Sequence, residues 1–119
     1  MKTGILIDVV NETITEIEVG DYKDIQKKIG CSLFDTVQLD ENNDIYVDDE
    51  GLLSVDKDSK FFGFKGLDSK FGGNGLVLGI NHNNGESVST TFSIELLKKV
   101  VKFYNFDQTV PYLIKIGLH

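Results

Sequence analysis

The chain has 119 residues, 40% of them hydrophobic and 26% charged. That composition suits one folded domain spanning residues 1–119 and excludes a disordered chain. No apolar run approaches the roughly 18 residues of a membrane span, and Asp8 breaks the apolar start too early for a signal peptide, so the expected setting is soluble and cytoplasmic. The net charge is −7 and all 12 basic residues are lysine. Direct nucleic-acid binding is therefore disfavoured, with no guanidinium fork for guanine or phosphate.

The charge is unevenly placed. Residues 1–50 hold 13 acids and 4 lysines, whereas residues 51–119 hold 6 acids and 8 lysines. Two faces with opposite electrostatic preferences are the expected result.

In chain order, residues 2–10 are β-branched and apolar and predict a first strand. A turn at Asn11 and Glu12 leads to an alternating strand over 13–19, giving an N-terminal hairpin. Gly20 breaks it. Asp21 caps a short helix over 22–29, whose Tyr22, Ile25 and Ile29 share one face, and Gly30 provides a left-handed stop. Strands over 33–39 and 44–48 flank the polar turn 40–43, and Asp49-Glu50-Gly51 makes a second turn.

Residues 54–74 predict a long structured loop with a short strand at 61–64. The nearly continuous apolar run 75–80 is a buried strand, followed by a turn at 81–85 and a short strand at 86–90. Ser93 caps a main helix whose stripe is Ile94, Leu97, Val101 and Tyr104, ending at 105–108. Alternation of Val110, Tyr112, Ile114 and Ile116 predicts a last strand. Pro111 would place it at an edge, available to another subunit of a homo-oligomer. The fold class is α+β: a mainly antiparallel sheet of about six or seven strands with two helices.

Several patterns resemble chemistry without completing it. The run Asp40-Glu41-Asn42-Asn43-Asp44 has the first oxygen ligands of a calcium loop, but Ile45 replaces its glycine and Gly51 its closing glutamate. Asp48, Asp49 and Glu50 are consecutive acids in a turn, which point into water unless burial separates their pKa values. Gly72-Gly73-Asn74-Gly75 precedes a strand, unlike a phosphate loop, and marks a tight turn or a backbone nest for an anion. Cys31 is the only cysteine and reads as a small packed side chain. His82 lies in a polar turn and His119 is the last residue, neither beside a nucleophile in sequence. No metal, cofactor or catalytic residue is expected.

The segment 57–71 stands apart. Lys57, Lys60, Lys65 and Lys70 interleave with Phe61, Phe62 and Phe64 in an otherwise acidic chain. Ammonium groups for phosphate and rings for a base are what a nucleotide-like ligand needs. Asn74 and nearby N–H groups could assist. Alternating phenylalanines also serve as core.

The run Ile45-Tyr46-Val47-Asp48-Asp49-Glu50-Gly51-Leu52, the strand at 73–79 reading Gly-Asn-Gly-Leu-Val-Leu-Gly, and Ile94-Glu95-Leu96-Leu97 resemble a domain-of-unknown-function family of short phage and plasmid proteins, over residues 3–102. The resemblance supplies no catalytic residues. It implies a mobile-element origin, a bacterial host cytoplasm and interference with host defence.

Two functions follow as expectations. The first is a non-catalytic protein that sequesters a nucleotide-like signalling molecule at Lys57, Lys60, Phe61, Phe62, Phe64, Lys65, Lys70 and Asn74. The alternative is an acidic protein that binds and inhibits a host defence protein through Asp40, Glu41, Asp44, Asp48, Asp49 and Glu50.

Overall fold

The computed structural model describes residues 1–53 and 55–117. Ser54, at the start of the expected loop 54–74, and His119 lie outside the described residues. The fold is α+β. The N-terminal hairpin is β1 (Lys2–Asp8) and β2 (Thr13–Val19), closed by a turn in which Asp8 accepts hydrogen bonds from the N–H groups of Val10 and Asn11. Helix α1 (Tyr22–Ile29) starts on the Asp21 side chain, which accepts from Asp24 N–H, and stops at Gly30 with φ +82°.

Strands β3 (Phe34–Gln38) and β4 (Asn43–Asp48) form the second hairpin. Then come β5 (Phe61–Phe64), β6 (Lys70–Gly72), β7 (Gly75–Ile80) and β8 (Ser87–Val88). Helix α2 (Ile94–Val100), β9 (Val101–Tyr104) and α3 (Phe106–Lys115) complete the described chain.

The large sheet has the order β2-β1-β7-β4-β3, with β8 beside the far end of β7, and all its pairings are antiparallel. A second sheet has the order β6-β5-β9. One face of the large sheet presents Ile5, Ile7, Ile14, Ile45, Val47 and Val77 to the second sheet and α2, where they meet Phe62, Phe64, Leu97 and Val101. The opposite face presents Val19, Leu76 and Leu78 to Ile25 and Ile29 of α1. Alternate residues of β7 thus serve two cores, which is why its sequence is apolar throughout.

Two expectations near the C-terminus are corrected. The main helix ends at Val100, because Val101 turns extended (φ −82°, ψ 137°) and pairs with Phe64. The helical stripe through Val101 and Tyr104 yields to a strand partner distant in sequence. The expected strand over 110–116 is instead α3. Asn105 Oδ1 accepts from Gln108 N–H at 2.8 Å and Gln108 Oε1 accepts from Asn105 N–H at 2.9 Å, a reciprocal cap that nucleates a helix. Thr109 and Leu113, four apart, are its buried positions. The subunit-pairing edge strand inferred from Pro111 does not exist.

Candidate functional site

The Lys/Phe segment is brought into order by β5 and β6, and its rings turn inward. Phe61 and Phe62 are fully buried and Phe64 is 6% exposed. Phe62 and Phe71 have ring centroids 5.2 Å apart, with Phe64 edge-on to Phe62 at 5.9 Å. Gly75 leaves the space that the tip of the Phe62 ring occupies. The expected stacking role of Phe61, Phe62 and Phe64 is therefore corrected: these are core rings with no face to offer a base.

The lysines do not converge either. Lys60 and Lys65 flank the two ends of β5, roughly 16 Å apart at strand rise. Lys57 is exposed in a turn. The Lys70 ammonium lies 4.4 Å from the Tyr104 ring centroid and 5.8 Å from that of Tyr112, where it is engaged by ring faces. Asn74 Oδ1 accepts from Val9 N–H at 3.0 Å, tying β1 to the start of β7, and Gly73 N–H donates to Lys60 O at 3.2 Å. Asn74 Oδ1 and the Gly73 N–H are thus engaged within the fold.

The acidic candidates are placed by β4 and its two turns. Asp44, Tyr46 and Asp48 alternate with Ile45 and Val47, so the core residues fix the acids and the tyrosine on the α1 side of the sheet. Asp40 and Glu41 lie in the turn before the strand and Asp49 and Glu50 in the turn after it. Asp40 Oδ1 accepts from Asn42 N–H and Asn43 Nδ2, and Asp48 Oδ1 accepts from Glu50 N–H. Among the described residues, ion pairs form at Asp24 with Lys28 and Asp68 with Lys115, and none of the six candidate acids takes part. His82 meets the backbone carbonyl oxygen of Glu41. No group of three or more His, Cys, Asp or Glu side chains is placed to hold a metal ion among the described residues.

Between the α1 C-terminus and the end of β4 is an open hollow of about 590 Å³, lined by Gly30, Cys31, Ser32, Leu33, Asp48 and Glu50, with Gln26 and Lys27 on the helix side. Burial, and next the Asp48 charge, push the Cys31 thiol above its ordinary pKa, so its thiolate is disfavoured and it is a poor nucleophile. The last-turn carbonyls of α1 add the negative end of a helix dipole to two carboxylates. The Lys27 ammonium in the same lining offsets one of these charges, and the balance that remains is negative and suits an ammonium or guanidinium group. Sequence reasoning singled out Asp48 and Glu50 but missed Gln26, Ser32 and Leu33. The only signal for them was Gly30, which ends the helix and turns the chain back toward β4.

A family model described as a domain of unknown function, DUF3846, matches residues 1–102. The chain belongs to the DUF3846 family. No curated protein and no solved structure showed significant similarity to it. The DUF3846 match takes in the hollow, the six acids and the Lys/Phe segment, and ends within β9. Helix α3 follows it. Among the described residues no helix is long and apolar enough to cross a membrane.

Proposed function

We propose that this DUF3846 protein is a non-catalytic binding protein that docks a basic surface of a partner protein on the α1, β3 and β4 side of its large sheet. The observation that carries this reading is the row of acids on β4 and its turns, unpaired among the described residues, two of which line the hollow at the α1 C-terminus. Asp44 and Asp48 flank Tyr46, whose ring packs edge-on against Phe34 at 5.2 Å. An aromatic body between carboxylates is a sound anchor for lysine or arginine. Long-range attraction would speed the encounter, and the hollow would give it register.

In the mobile-element setting that the phage and plasmid resemblance implies, the partner is a host defence protein in the bacterial cytoplasm, and docking inhibits it. Sequestration of a nucleotide-like molecule has less to support it, because its rings are core and its lysines are apart.

The test compares the protein with the triple variant Asp44→Lys, Asp49→Lys, Glu50→Lys after expression in a bacterial host. A basic host protein that co-purifies with the first, is lost from the second and dissociates with added salt supports docking. A nucleotide released on denaturation and seen by mass spectrometry, with no such protein, overturns it.

A further inference from the structure

The large sheet ends at two free edges, and the chain treats them differently. On β3, Leu39 N–H donates to Asn43 O at 2.9 Å and Asp49 N–H donates to Leu33 O at 3.0 Å. Odd-numbered residues of β3 therefore bond β4, and the N–H and C=O groups of Phe34, Thr36 and Gln38 point outward. At the middle of that edge the Asp35 carboxylate accepts from Thr36 N–H at 2.9 Å. Its central donor is covered by a local side chain.

On β2 the parity is fixed from β1. Thr3 N–H donates to Ser89 Oγ at 2.9 Å, Thr90 N–H donates to Thr3 O at 3.0 Å, and Val9 N–H donates to Asn74 Oδ1 at 3.0 Å. Odd-numbered β1 residues thus face away from β2. With the register Leu6↔Thr15 and Gly4↔Ile17, the N–H and C=O groups of Ile14, Glu16 and Glu18 point off the sheet. Among the described residues no backbone group hydrogen-bonds them, and α2 packs beside β2 without pairing with it.

Beside this edge, where β2, α2 and β9 meet, is a second open hollow of about 530 Å³. Ile14, Val101 and Phe103 give it an apolar floor, with Lys98 from α2 at its side. The side chains of Glu16 and Glu18 are on the same face of the sheet as Ile14, opposite Ile5 and Thr3, and Thr3 Oγ1 donates to Glu18 Oε1 at 3.2 Å. An open backbone edge thus borders an apolar floor on one stretch and two exposed carboxylates on the next.

We propose that the β2 edge receives an extended segment of a partner protein as an added strand. On the hollow side that segment carries an apolar residue opposite Ile14 and lysine or arginine opposite Glu16 and Glu18. Main-chain hydrogen bonds supply affinity and alternate side chains supply selection. Acids on an edge deter stray strands, yet the same acids admit one that brings cations, so they discriminate between partners. A second copy of this chain is the wrong occupant: antiparallel self-pairing centred on Glu16 or Ile17 sets glutamate opposite glutamate, which is destabilising. The site uses none of the β4 acids and goes beyond the docking reading above.

The probe is a blocked synthetic peptide, Thr-Lys-Val-Lys-Thr-Val-Thr, which meets β2 in this pattern when antiparallel. Added to 15N-labelled protein, it should slow amide hydrogen exchange at Ile14, Glu16 and Glu18 at least roughly tenfold, while Thr13, Thr15 and Ile17, already bonded to β1, change little. The Glu16→Lys, Glu18→Lys variant, checked for an unchanged far-UV dichroism spectrum, should bind roughly tenfold more weakly. The Asp44→Lys, Asp49→Lys, Glu50→Lys protein should bind it normally, which separates this site from the β4 face. A peptide N-methylated on its edge-facing residues should not bind. Binding without protection of those three amides, or no binding at millimolar peptide, overturns the proposal. So does protection that rises with protein concentration in the absence of peptide, which would mean self-pairing.

Discussion

Gly51 and Gly72 meet backbone to backbone: a Cβ on Gly72 would lie 2.1 Å from the Gly51 carbonyl oxygen, and a Cβ on Gly51 would lie 2.4 Å from that of Gly72. The turn after β4 and the end of β6 can approach this closely only because neither residue has a side chain. The contact joins the large sheet to the small one beside the acid-bearing turn. The Gly72→Ala variant should lose roughly 2–3 kcal/mol in urea denaturation, since backbone on both sides cannot give way as a flexible side chain would. Gly20→Ala, where the nearest atom is 3.5 Å away, should change stability by less than about 1 kcal/mol. Equal effects at the two positions would refute the close-approach account.

Asn43 is the buried polar hinge between β4 and the segment leading to α2. Its Oδ1 accepts from Thr90 Oγ1 at 2.6 Å and from Thr91 N–H at 3.1 Å, while its Nδ2 donates to Thr91 Oγ1 at 2.7 Å and to Asp40 Oδ1 at 3.1 Å. Asn43→Ala should cost roughly 2–3 kcal/mol, because a fully buried amide loses four hydrogen bonds together. Asn43→Asp should not restore stability: it removes both donors and faces Asp40 with a like charge. Denaturation midpoints of the two variants decide the point.

Asp8 makes the N-terminal hairpin sensitive to acid. The hydrogen bond from the Asn11 side chain, above all, holds its carboxyl below the ordinary aspartate pKa; partial burial opposes this and the Asn11 and Val10 N–H groups add to it. A folded-state pKa below the unfolded one contributes stability that is present above the unfolded value, near pH 4, and lost as pH falls through the folded value. Asp8→Asn should therefore show a shallower decline of stability below about pH 4 than the parent. Parallel declines would remove Asp8 from the acid response.

Helix α3 carries Pro111 at its sixth position, exposed, where a bond to the Asp107 carbonyl is forgone. An interior proline costs a helix roughly 3 kcal/mol, offset in part by the stiffer unfolded chain. Pro111→Ala should raise stability by about 1–2 kcal/mol, measured as an upward shift of the thermal midpoint. A loss instead would show that α3 depends on the proline's packing.

Local signals were legible in the sequence where they were strong. Asp21 and Gly30 bracket α1, Ser93 starts α2, and alternation marks β2 and β4, because capping and side-chain periodicity act over a few residues. The region beyond Val100 misled for the same reason. Val110, Tyr112, Ile114 and Ile116 satisfy a period of two, but Thr109 and Leu113 satisfy a helical one, and the Asn105 and Gln108 cap decides between them. Phe61, Phe62 and Phe64 had two readings, stacking platform or core, and the choice rests on what lies opposite. Gly75 is there, with room for a ring.

Residue order alone is enough to specify an α+β chain with its acids concentrated in the first fifty residues, since composition and short-range pattern need no partner in space. The folded arrangement is what turns the phenylalanines toward a neighbouring sheet, makes Val101–Tyr104 a strand, rests Lys70 on two tyrosines and leaves β2 at the edge of its sheet. Each of these depends on contacts between residues far apart in the chain. Their energy exists only once the chain has closed, so no local window contains it.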